Sequence, residues 1–398
     1  MRFYRKIVNR MRAVVFLFSL TVAASGWAQP LTGLNFNDWY DPQSTFQAQG
    51  RVVRDETQLR VLIKWTNTGA AHSIRDYEVS AERRDSYTQR QGIPLPFDSA
   101  QWITQGDTRH TSLVFDRPEK PWLLVVRFKN KTTQKNWTFF YPIEANYPVD
   151  GWLEDENGTW VSDRFLTVGK TYTLKNEMNK PMAVSYYQNA FKPAYPPFTE
   201  QGKSDQFLFY DSLFFLQPGA SFKPFQEGLY LFQTDTTASM GFSYVVKNRS
   251  YPKYTTIQTL KEPMIYVTTT EEYNQIETAG EDKAKFDKVV LDFTRDKERA
   301  KIFMRNYFRR VELANVFFTS YKEGWKTDRG MVYLIFGPPD EVSRNGGNEV
   351  WYYRASSTRY TFVKVGSVYD ADNFVLLRDN RFAEDWYSTI DLWRKSRF

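Results

Sequence analysis

The 398-residue chain contains no cysteine and only two histidines. The absence of cysteine excludes disulfide bonds, thiolate metal sites, a cysteine nucleophile and a lipid anchor on an N-terminal cysteine. With two histidines and no metal-ligand spacing, we expect neither a metal site nor a cofactor. Gly-x-Ser-x-Gly, His-Glu-x-x-His and phosphate-loop patterns are also missing, so neither triad chemistry nor zinc hydrolysis is predicted. Stability must come from a buried core, which the 17% aromatic content can supply.

The positive charge of the chain is concentrated at its beginning. The formal net charge is +7, and five basic residues with no acidic residue fall within positions 1–28. The rest of the chain is therefore close to neutral. Nucleic-acid binding depends on clustered Lys and Arg side chains, so we expect no nucleic-acid partner.

Residues 1–28 have the pattern of a secretory signal peptide. A basic segment, Met1 to Arg12, precedes an apolar run from Ala13 to Ala24. Gly26 and Ala28 then supply small residues before a cleavage site, so the mature chain is predicted to begin at Gln29. The apolar run is shorter than the roughly 20 residues that a membrane-spanning helix needs. An uncleaved anchor is the alternative, and no transmembrane span is expected after signal cleavage.

Residues 29–147 are predicted to form a β-sandwich-like domain. Leu59, Val61, Ile63 and Trp65 alternate with polar residues, which is typical of a half-buried strand. Further strands are predicted at 122–128 and 137–141, with turn-forming residues between the strands. The two histidines, His72 and His110, fall in this region and are expected to be exposed in loops.

Residues 148–262 are predicted to form a second β-sandwich-like domain. The first boundary is placed at Tyr147-Pro148, where the strand pattern breaks. Asn157-Gly158, between Trp152 and Trp160, predicts a hairpin turn because both residues tolerate positive φ angles.

Residues 263–398 are predicted to contain a helical segment and a small α+β domain. Apolar residues at helical spacing predict one helix through Phe286, Val289, Val290 and Phe293. They predict a second helix with the stripe Phe303, Tyr307, Val311, Ala314 and Phe318, and a tail helix with Trp386, Ile390 and Trp393. Four short strands are predicted between them, at 331–336, 350–354, 360–365 and 373–377. The fold class is therefore mainly β plus α+β.

A specific motif lies between the second helix and the first of these strands. The pentapeptide Gly324-Trp325-Lys326-Thr327-Asp328 is preceded by Asn306–Asn315 and followed by Met331–Val342 and Glu349–Tyr353. This ordered set closely resembles the GWxTD domain family over roughly residues 280–365. The resemblance implies an exported bacterial cell-envelope protein with no established catalytic residues. The candidate signature and interaction residues are Gly324, Trp325, Thr327, Asp328, Gly330, Gly337, Pro338, Pro339, Asp340, Trp351 and Tyr353.

A weaker likeness is carried by Gly337, Pro338, Trp351 and Tyr353 alone. These residues are similar to a pattern in the small lipoprotein of the outer-membrane β-barrel assembly machine, although the lipid-bearing cysteine is missing. By analogy only, the likeness suggests an interaction module at the outer membrane.

Three functions follow as hypotheses. The first is a non-enzymatic periplasmic or outer-membrane-associated protein that binds an envelope protein partner in an assembly. The second is a glycan-binding module that stacks polysaccharide on Tyr186, Tyr187, Phe191, Tyr195 and Phe198. The third is a hydrolase that uses the carboxylates of Asp328, Asp340, Glu341 and Glu349, if they converge beside the C-terminal sheet.

The pentapeptide itself has a predicted structural role. Gly324 is expected to end the second helix with a positive φ angle, which a glycine adopts without a Cβ clash. Trp325 is then expected to fold back onto the stripe of Val311, Ala314 and Phe318. Asp328 is expected to cap a turn through its side-chain oxygens.

Overall fold

The computed structural model describes residues 29–67, 74–97, 102–188, 191–200 and 208–397. The predicted signal peptide and His72 lie outside these residues. The described residues confirm the predicted fold class, with antiparallel sheets in the N-terminal part and an α+β region at the C-terminus.

The first β region consists of two four-stranded sheets around a shared aromatic core. Its strands are β1 (Phe46–Arg54), β2 (Gln58–Asn67), β3 (Tyr77–Arg84), β4 (Ile93–Leu95), β5 (Ile103–Gln105), β6 (Thr108–Asp116), β7 (Trp122–Asn130) and β8 (Asn136–Ile143). The sheet orders are β1-β2-β6-β5 and β4-β3-β7-β8. Phe46 on one sheet contacts Phe128 on the other, with ring centroids 5.0 Å apart. The strands predicted around residues 59–65, 122–128 and 137–141 are confirmed.

The prediction for His110 is wrong. His110 lies in strand β6, opposite Lys64 of β2 and Ile103 of β5, and is buried. Trp152, Glu154 and Trp160 of the second β region line a pocket together with His110. Burial lowers the pKa of His110, and the positive charge of Lys64 lowers it further.

The second β region has a three-stranded and a five-stranded sheet. Its strands are β9 (Trp152–Glu154), β10 (Phe165–Thr167), β11 (Tyr172–Lys175), β12 (Met182–Tyr187), β13 (Ser212–Leu216), β14 (Ser221–Phe222), β15 (Gly228–Gln233) and β16 (Phe242–Lys247). The orders are β14-β11-β9 and β10-β16-β15-β12-β13, which leaves β13 at an edge. The hairpin turn predicted at Asn157-Gly158 is present, with an antiparallel bridge between Glu154 and Trp160, but of the two residues only Gly158 has a positive φ angle, +73°. The Asp155 carboxylate accepts from the backbone N–H groups of Asn157 and Thr159.

In the part of the chain that the structure describes, the first α-helix begins at Ile257. The helices are α1 (Ile257–Lys261), α2 (Thr270–Ala279), α3 (Lys283–Thr294), α4 (Lys297–Phe318), α5 (Asp328–Phe336) and α6 (Ala383–Arg394) within the described residues. The predicted apolar stripes of α3 and α4 are buried. Helix α3 ends at Thr294, and the Asp296 side chain accepts from the Arg299 N–H to cap the start of α4. The tail helix predicted from Trp386, Ile390 and Trp393 is also confirmed.

The C-terminal sheet contains three of the four predicted strands. Its order is β17 (Glu341–Asn345), β18 (Asn348–Tyr353), β19 (Thr358–Lys364) and β20 (Phe374–Leu376). The strand predicted at 331–336 is wrong, because these residues belong to helix α5. Met331 to Ile335 are all buried, so no polar stripe marks the helix. A short continuous apolar run does not distinguish a buried strand from a buried helix.

The N-terminal segment, residues 31–40, packs against the C-terminal domain. The Phe36 N–H donates to the carbonyl oxygen of Val342 on β17 at 2.8 Å. The Asn35 side chain accepts from the Val342 N–H at 2.8 Å and donates to the Asp340 carbonyl. Residues about 300 positions apart are thereby joined, and Leu31, Phe36 and Tyr40 enter the C-terminal core.

Candidate functional site

The GWxTD pentapeptide is buried throughout. Gly324 to Lys326 form one turn of 3-10 helix after α4, and Thr327 and Asp328 begin α5. The Thr327 side chain connects the 3-10 turn to the first turn of α5. Its hydroxyl donates to the Gly324 carbonyl at 2.7 Å and accepts from the Gly330 N–H at 3.0 Å. A Cβ on Gly330 would lie 1.8 Å from the Gly324 oxygen, so this contact requires glycine at position 330.

The predicted role of Gly324 is wrong. Helix α4 ends six residues earlier, at Phe318, and Gly324 is not among the described residues with a positive φ angle. The requirement for glycine comes from packing, because a Cβ here would lie 2.0 Å from the carbonyl oxygen of Ala314 on α4.

Trp325 is fully buried and shares the core of the C-terminal domain with the α4 stripe, as predicted. Its backbone N–H donates to the Asn315 side chain at 3.2 Å, and its indole N–H donates to the Tyr254 hydroxyl at 2.9 Å. Tyr266 packs edge-on against the indole ring, with centroids 5.9 Å apart. Trp325 therefore joins α4 to the segment that leaves the second β region.

A buried chain of charges lies beside Trp325. Lys326 pairs with Glu262 at 2.8 Å and with Glu323 at 3.3 Å. Glu323 also pairs with Lys247, the last residue of β16, at 2.5 Å. Burial alone would raise the pKa of Glu323, but Lys247 and Lys326 outweigh it and lower the pKa to about 2. The chain of charges connects the five-stranded sheet to the pentapeptide.

Asp328 makes a buried ion pair rather than the predicted turn cap. Its carboxylate lies 2.6 Å from the guanidinium of Arg378, and both side chains are more than nine-tenths buried. It also accepts from the Leu376 N–H at the end of β20. The partner lies 50 residues away in sequence, so local spacing could not identify it. The cap of α5 is Thr327 instead.

The other signature candidates surround the far end of α5. Gly337 ends the helix with φ +90°, and its carbonyl accepts from the Tyr353 hydroxyl at 2.8 Å. Pro339, Trp351 and Tyr353 are buried, whereas Pro338 and Asp340 are exposed. The Asp340 carboxylate accepts from the Arg354 N–H at 2.8 Å. Most signature residues therefore hold the domain together and do not present a surface.

A second buried polar cluster was not predicted. Glu349 is fully buried and accepts from the Tyr40 hydroxyl at 2.9 Å and from the Trp351 indole N–H at 2.7 Å. Its carboxylate pairs with Arg344 and lies 3.6 Å from Arg329. Burial opposes ionisation, but Arg344 and Arg329 hold the pKa of Glu349 below its ordinary value. Burial, with Glu349 beside it, raises the pKa of Tyr40 to about 12. No local motif links Tyr40 to Glu349.

Asp328 and Glu349 have separate partners, whereas Asp340 and Glu341 both bond to Arg354. Asp328 pairs with Arg378, and Glu349 pairs with Arg344. Glu341 pairs with Arg354 at the surface, beside Asp340. Paired catalytic carboxylates must flank one bond of the substrate, and these partners place Asp328 and Glu349 in different buried clusters.

The aromatic candidates at 186–198 lie in different environments. Tyr186 is buried in the core of the β regions, and Tyr187 is buried in a separate small cluster. Phe191 packs against Tyr321, and Phe198 packs against Tyr387. Of the five side chains, only that of Tyr195 is exposed.

The segment that carries Phe191 to Phe198 lies on the C-terminal domain. The Ala194 N–H donates to the Lys326 carbonyl at 2.9 Å, and the Ala194 carbonyl accepts from the Tyr266 hydroxyl at 2.8 Å. The Pro197 carbonyl accepts from the Asp379 N–H. The segment therefore fastens the second β region to the pentapeptide.

The most exposed apolar surface was missed by the sequence analysis. Phe209 and Tyr210 precede β13, and Leu213 and Phe215 alternate along it; all four are exposed, Phe209 by 85% and Phe215 by 67%. Phe214, between them, points inward and packs against Phe222. We call Phe209, Tyr210, Leu213 and Phe215 the β13 edge patch. The sequence signal for this surface was the run Ser-Leu-Phe-Phe-Leu at Ser212–Leu216, which places apolar residues on both faces of the strand.

The described part of the chain contains neither a cluster of metal-ligating side chains nor a helix that could cross a membrane. No group of three or more His, Asp or Glu side chains there could hold a metal ion. None of the described helices combines the length and the apolar composition that a bilayer crossing needs.

Together, the geometry defines a β-rich protein whose C-terminal α+β region contains a buried pentapeptide. Residues 228–395 match the model of the GWxTD domain, so this part of the chain carries that domain. The match begins at the first residue of β15 and thus includes β15 and β16, where Lys247 meets Glu323.

Comparisons with other proteins add little. No curated protein is significantly similar to the chain. Ten solved chains match. One is a chimeric titin Z1Z2-Z1Z2 tandem functionalised with a GRGDS peptide from fibronectin, at 14% identity and a TM-score of 0.15, with 50% of this chain and 90% of that chain covered. A TM-score this low supports no conclusion about function.

Proposed function

We propose that this protein is a non-enzymatic cell-envelope protein that binds a protein partner in an envelope or outer-membrane assembly. The leader at residues 1–28 supports export to the periplasm, and the family resemblance supports an envelope location. The observation that carries the binding role is the β13 edge patch. Isolated exposed apolar residues are ordinary, but a contiguous row of them on a sheet edge is typical of an interaction surface.

The patch is suited to an extended segment of the partner. Strand β13 pairs with β12 on one side, and no described strand pairs with its other side. Its five residues, Ser-Leu-Phe-Phe-Leu, include none of the charged residues or prolines that usually protect an edge. A partner strand would bond to the free backbone groups of β13, while its alternate side chains cover Leu213 and Phe215.

The other two hypotheses have less support. The burial of Tyr186 and Tyr187 removes two of the five rings from any sugar-stacking platform. The separate ion pairs of Asp328 and Glu349 give no support to a catalytic pair made of these two carboxylates.

Affinity purification from native membranes tests the proposal. We expect a stoichiometric envelope protein to copurify with the wild type and to be lost from Phe215→Glu. Ile103→Glu is the matched control, because Ile103 is 57% exposed on another edge strand, β5. A partner retained equally by Phe215→Glu would contradict the role of the patch. Saturable polysaccharide binding that Phe215→Glu leaves unchanged would instead support the glycan alternative.

A further inference from the structure

A cavity lies where the N-terminal segment, the first β region and the C-terminal domain meet. Its volume is about 300 Å³, at the lower end of the range for sites that bind small molecules. Aromatic rings form much of its wall: Trp39, Tyr40, Phe46, Tyr87, Phe139, Phe140, Tyr141, Tyr147, Phe317 and Phe374 line it. Arg329, Arg344 and Lys364 supply positive charge.

The two arginines of the cavity share a single carboxylate. Arg344 pairs directly with Glu349, whereas the nearest nitrogen of Arg329 lies 3.6 Å from the same carboxylate. Among the described residues, the hydrogen bond that Arg329 makes is to the Tyr40 hydroxyl, at 3.2 Å. Its guanidinium stacks over Phe374, 4.3 Å from the ring centroid. One guanidinium charge is therefore left without a full counterion.

The remaining charges around the cavity compensate one another. Lys364 pairs with Asp372 at 2.8 Å, and Asp372 also pairs with Arg164, which in turn reaches Asp370. Asp38 pairs with Lys135 at 2.9 Å. These pairs do not neutralise the arginines, so the cavity keeps an excess of one positive charge.

Two buried polar atoms on the cavity residues have no partner. The Nε atom of Arg344 and the hydroxyl of Tyr141 are both buried, and neither makes a hydrogen bond to a described residue. Tyr141 lies across Gly50 of β1, where a Cβ would be 2.0 Å from its ring. Leaving a buried donor unpaired destabilises the folded protein. Both residues line the cavity, so polar groups that the protein leaves unpaired lie beside it.

We propose that this cavity binds a small anion that consists of an oxyanion group, carboxylate or phosphate, on a ring-bearing apolar body. The oxyanion lies against Arg329 and Arg344, because a guanidinium donates parallel hydrogen bonds to either group. The apolar body packs among the aromatic rings, including Trp39 and Tyr87. The site does not involve the β13 edge patch, so it stands or falls separately from the proposed partner surface.

Calorimetric titration of the full-length protein with defined probes tests the proposal. The probes are 2-naphthoate, 2-naphthyl phosphate and the neutral 2-naphthamide. We expect saturable one-to-one binding of at least one of the two anions, at least tenfold tighter than that of the amide, and the tighter anion identifies the preferred oxyanion. Equal binding of all three probes, or no saturable binding of either anion, would overturn the proposal.

Three variants locate the binding. Arg329→Gln should weaken the preferred anion at least tenfold while it leaves the Arg344–Glu349 pair in place. Arg305→Gln is the matched control, since Arg305 is exposed on α4 and the change in charge is the same. Val316→Trp tests the cavity without a charge change: Val316 is 45% exposed on α4 and lines the cavity, so the larger ring should obstruct it. Unchanged affinity in both Arg329→Gln and Val316→Trp would place the binding elsewhere and overturn the proposal.

Discussion

Gly324 and the carbonyl oxygen of Ala314 are so close that a Cβ on Gly324 would lie 2.0 Å from that oxygen. The first residue of the pentapeptide thus lies directly on the backbone of α4. Backbone atoms of a helix cannot move aside as a flexible side chain can, so the contact defines the position of the turn.

We predict that Gly324→Ala destabilises the protein by about 3 kcal/mol, because a well-packed interior resists extra atoms. The measurement is the free energy of unfolding of the full chain in urea. Gly347→Ala is the control, since the nearest atom to its Cβ would be 3.8 Å away. Equal stability of the two variants would show that α4 yields to the extra methyl group.

Trp325→Ala should lower the free energy of unfolding by about 3–5 kcal/mol, the usual cost of removing a buried Trp side chain. Trp325→Phe keeps most of the ring but loses the hydrogen bond to the Tyr254 hydroxyl. The loss of that bond should lower the free energy of unfolding by about 1 kcal/mol. Thermal unfolding of the full chain measures both. A wild-type melting temperature for Trp325→Ala would contradict the burial of the indole.

Asp328→Asn should cost about 3–5 kcal/mol, because it leaves the buried guanidinium of Arg378 without its counterion. Glu341→Gln removes an exposed pair with Arg354 and should cost less than about 1 kcal/mol. Denaturant unfolding of both variants gives the comparison. A cost for Asp328→Asn as small as that for Glu341→Gln would mean that the carboxylate acts only as a turn cap.

Glu323 should make stability depend on pH. Its pKa is about 2 in the folded protein and near 4.5 ordinarily, so its contribution is present above pH 4.5 and is lost as the pH falls towards 2. The difference corresponds to about 3 kcal/mol. Glu323→Gln should therefore be less stable than the wild type at neutral pH, and the gap should close across this window.

The control for Glu323 is the exposed Glu119. Glu119→Gln should follow the wild-type dependence of stability on pH, measured as the midpoint of urea unfolding from pH 7 to pH 2.5. A constant gap between wild type and Glu323→Gln over that range would show that the lysines do not hold the carboxylate ionised.

Local pattern determined the secondary structure of several elements that have one polar face. The stripes of α3 and α4, the alternation along β2 and the turn at Asn157-Gly158 all follow from side chains within a few residues of one another. The pentapeptide likewise indicated the family, which the match over residues 228–395 supports. The same reasoning failed for 331–336, because a helix that is buried on all sides carries no polar stripe.

The tertiary structure alone decided which distant residues meet. Asp328 pairs with Arg378, Tyr40 bonds to Glu349, and Gly324 packs against Ala314. It also decided that Tyr186 is buried while Phe215 is exposed, although both are aromatic residues on strands of one sheet. Sequence spacing records only neighbours along the chain. The partner of a buried charge, and the face that a second domain covers, depend on how complete elements pack, which no local pattern encodes.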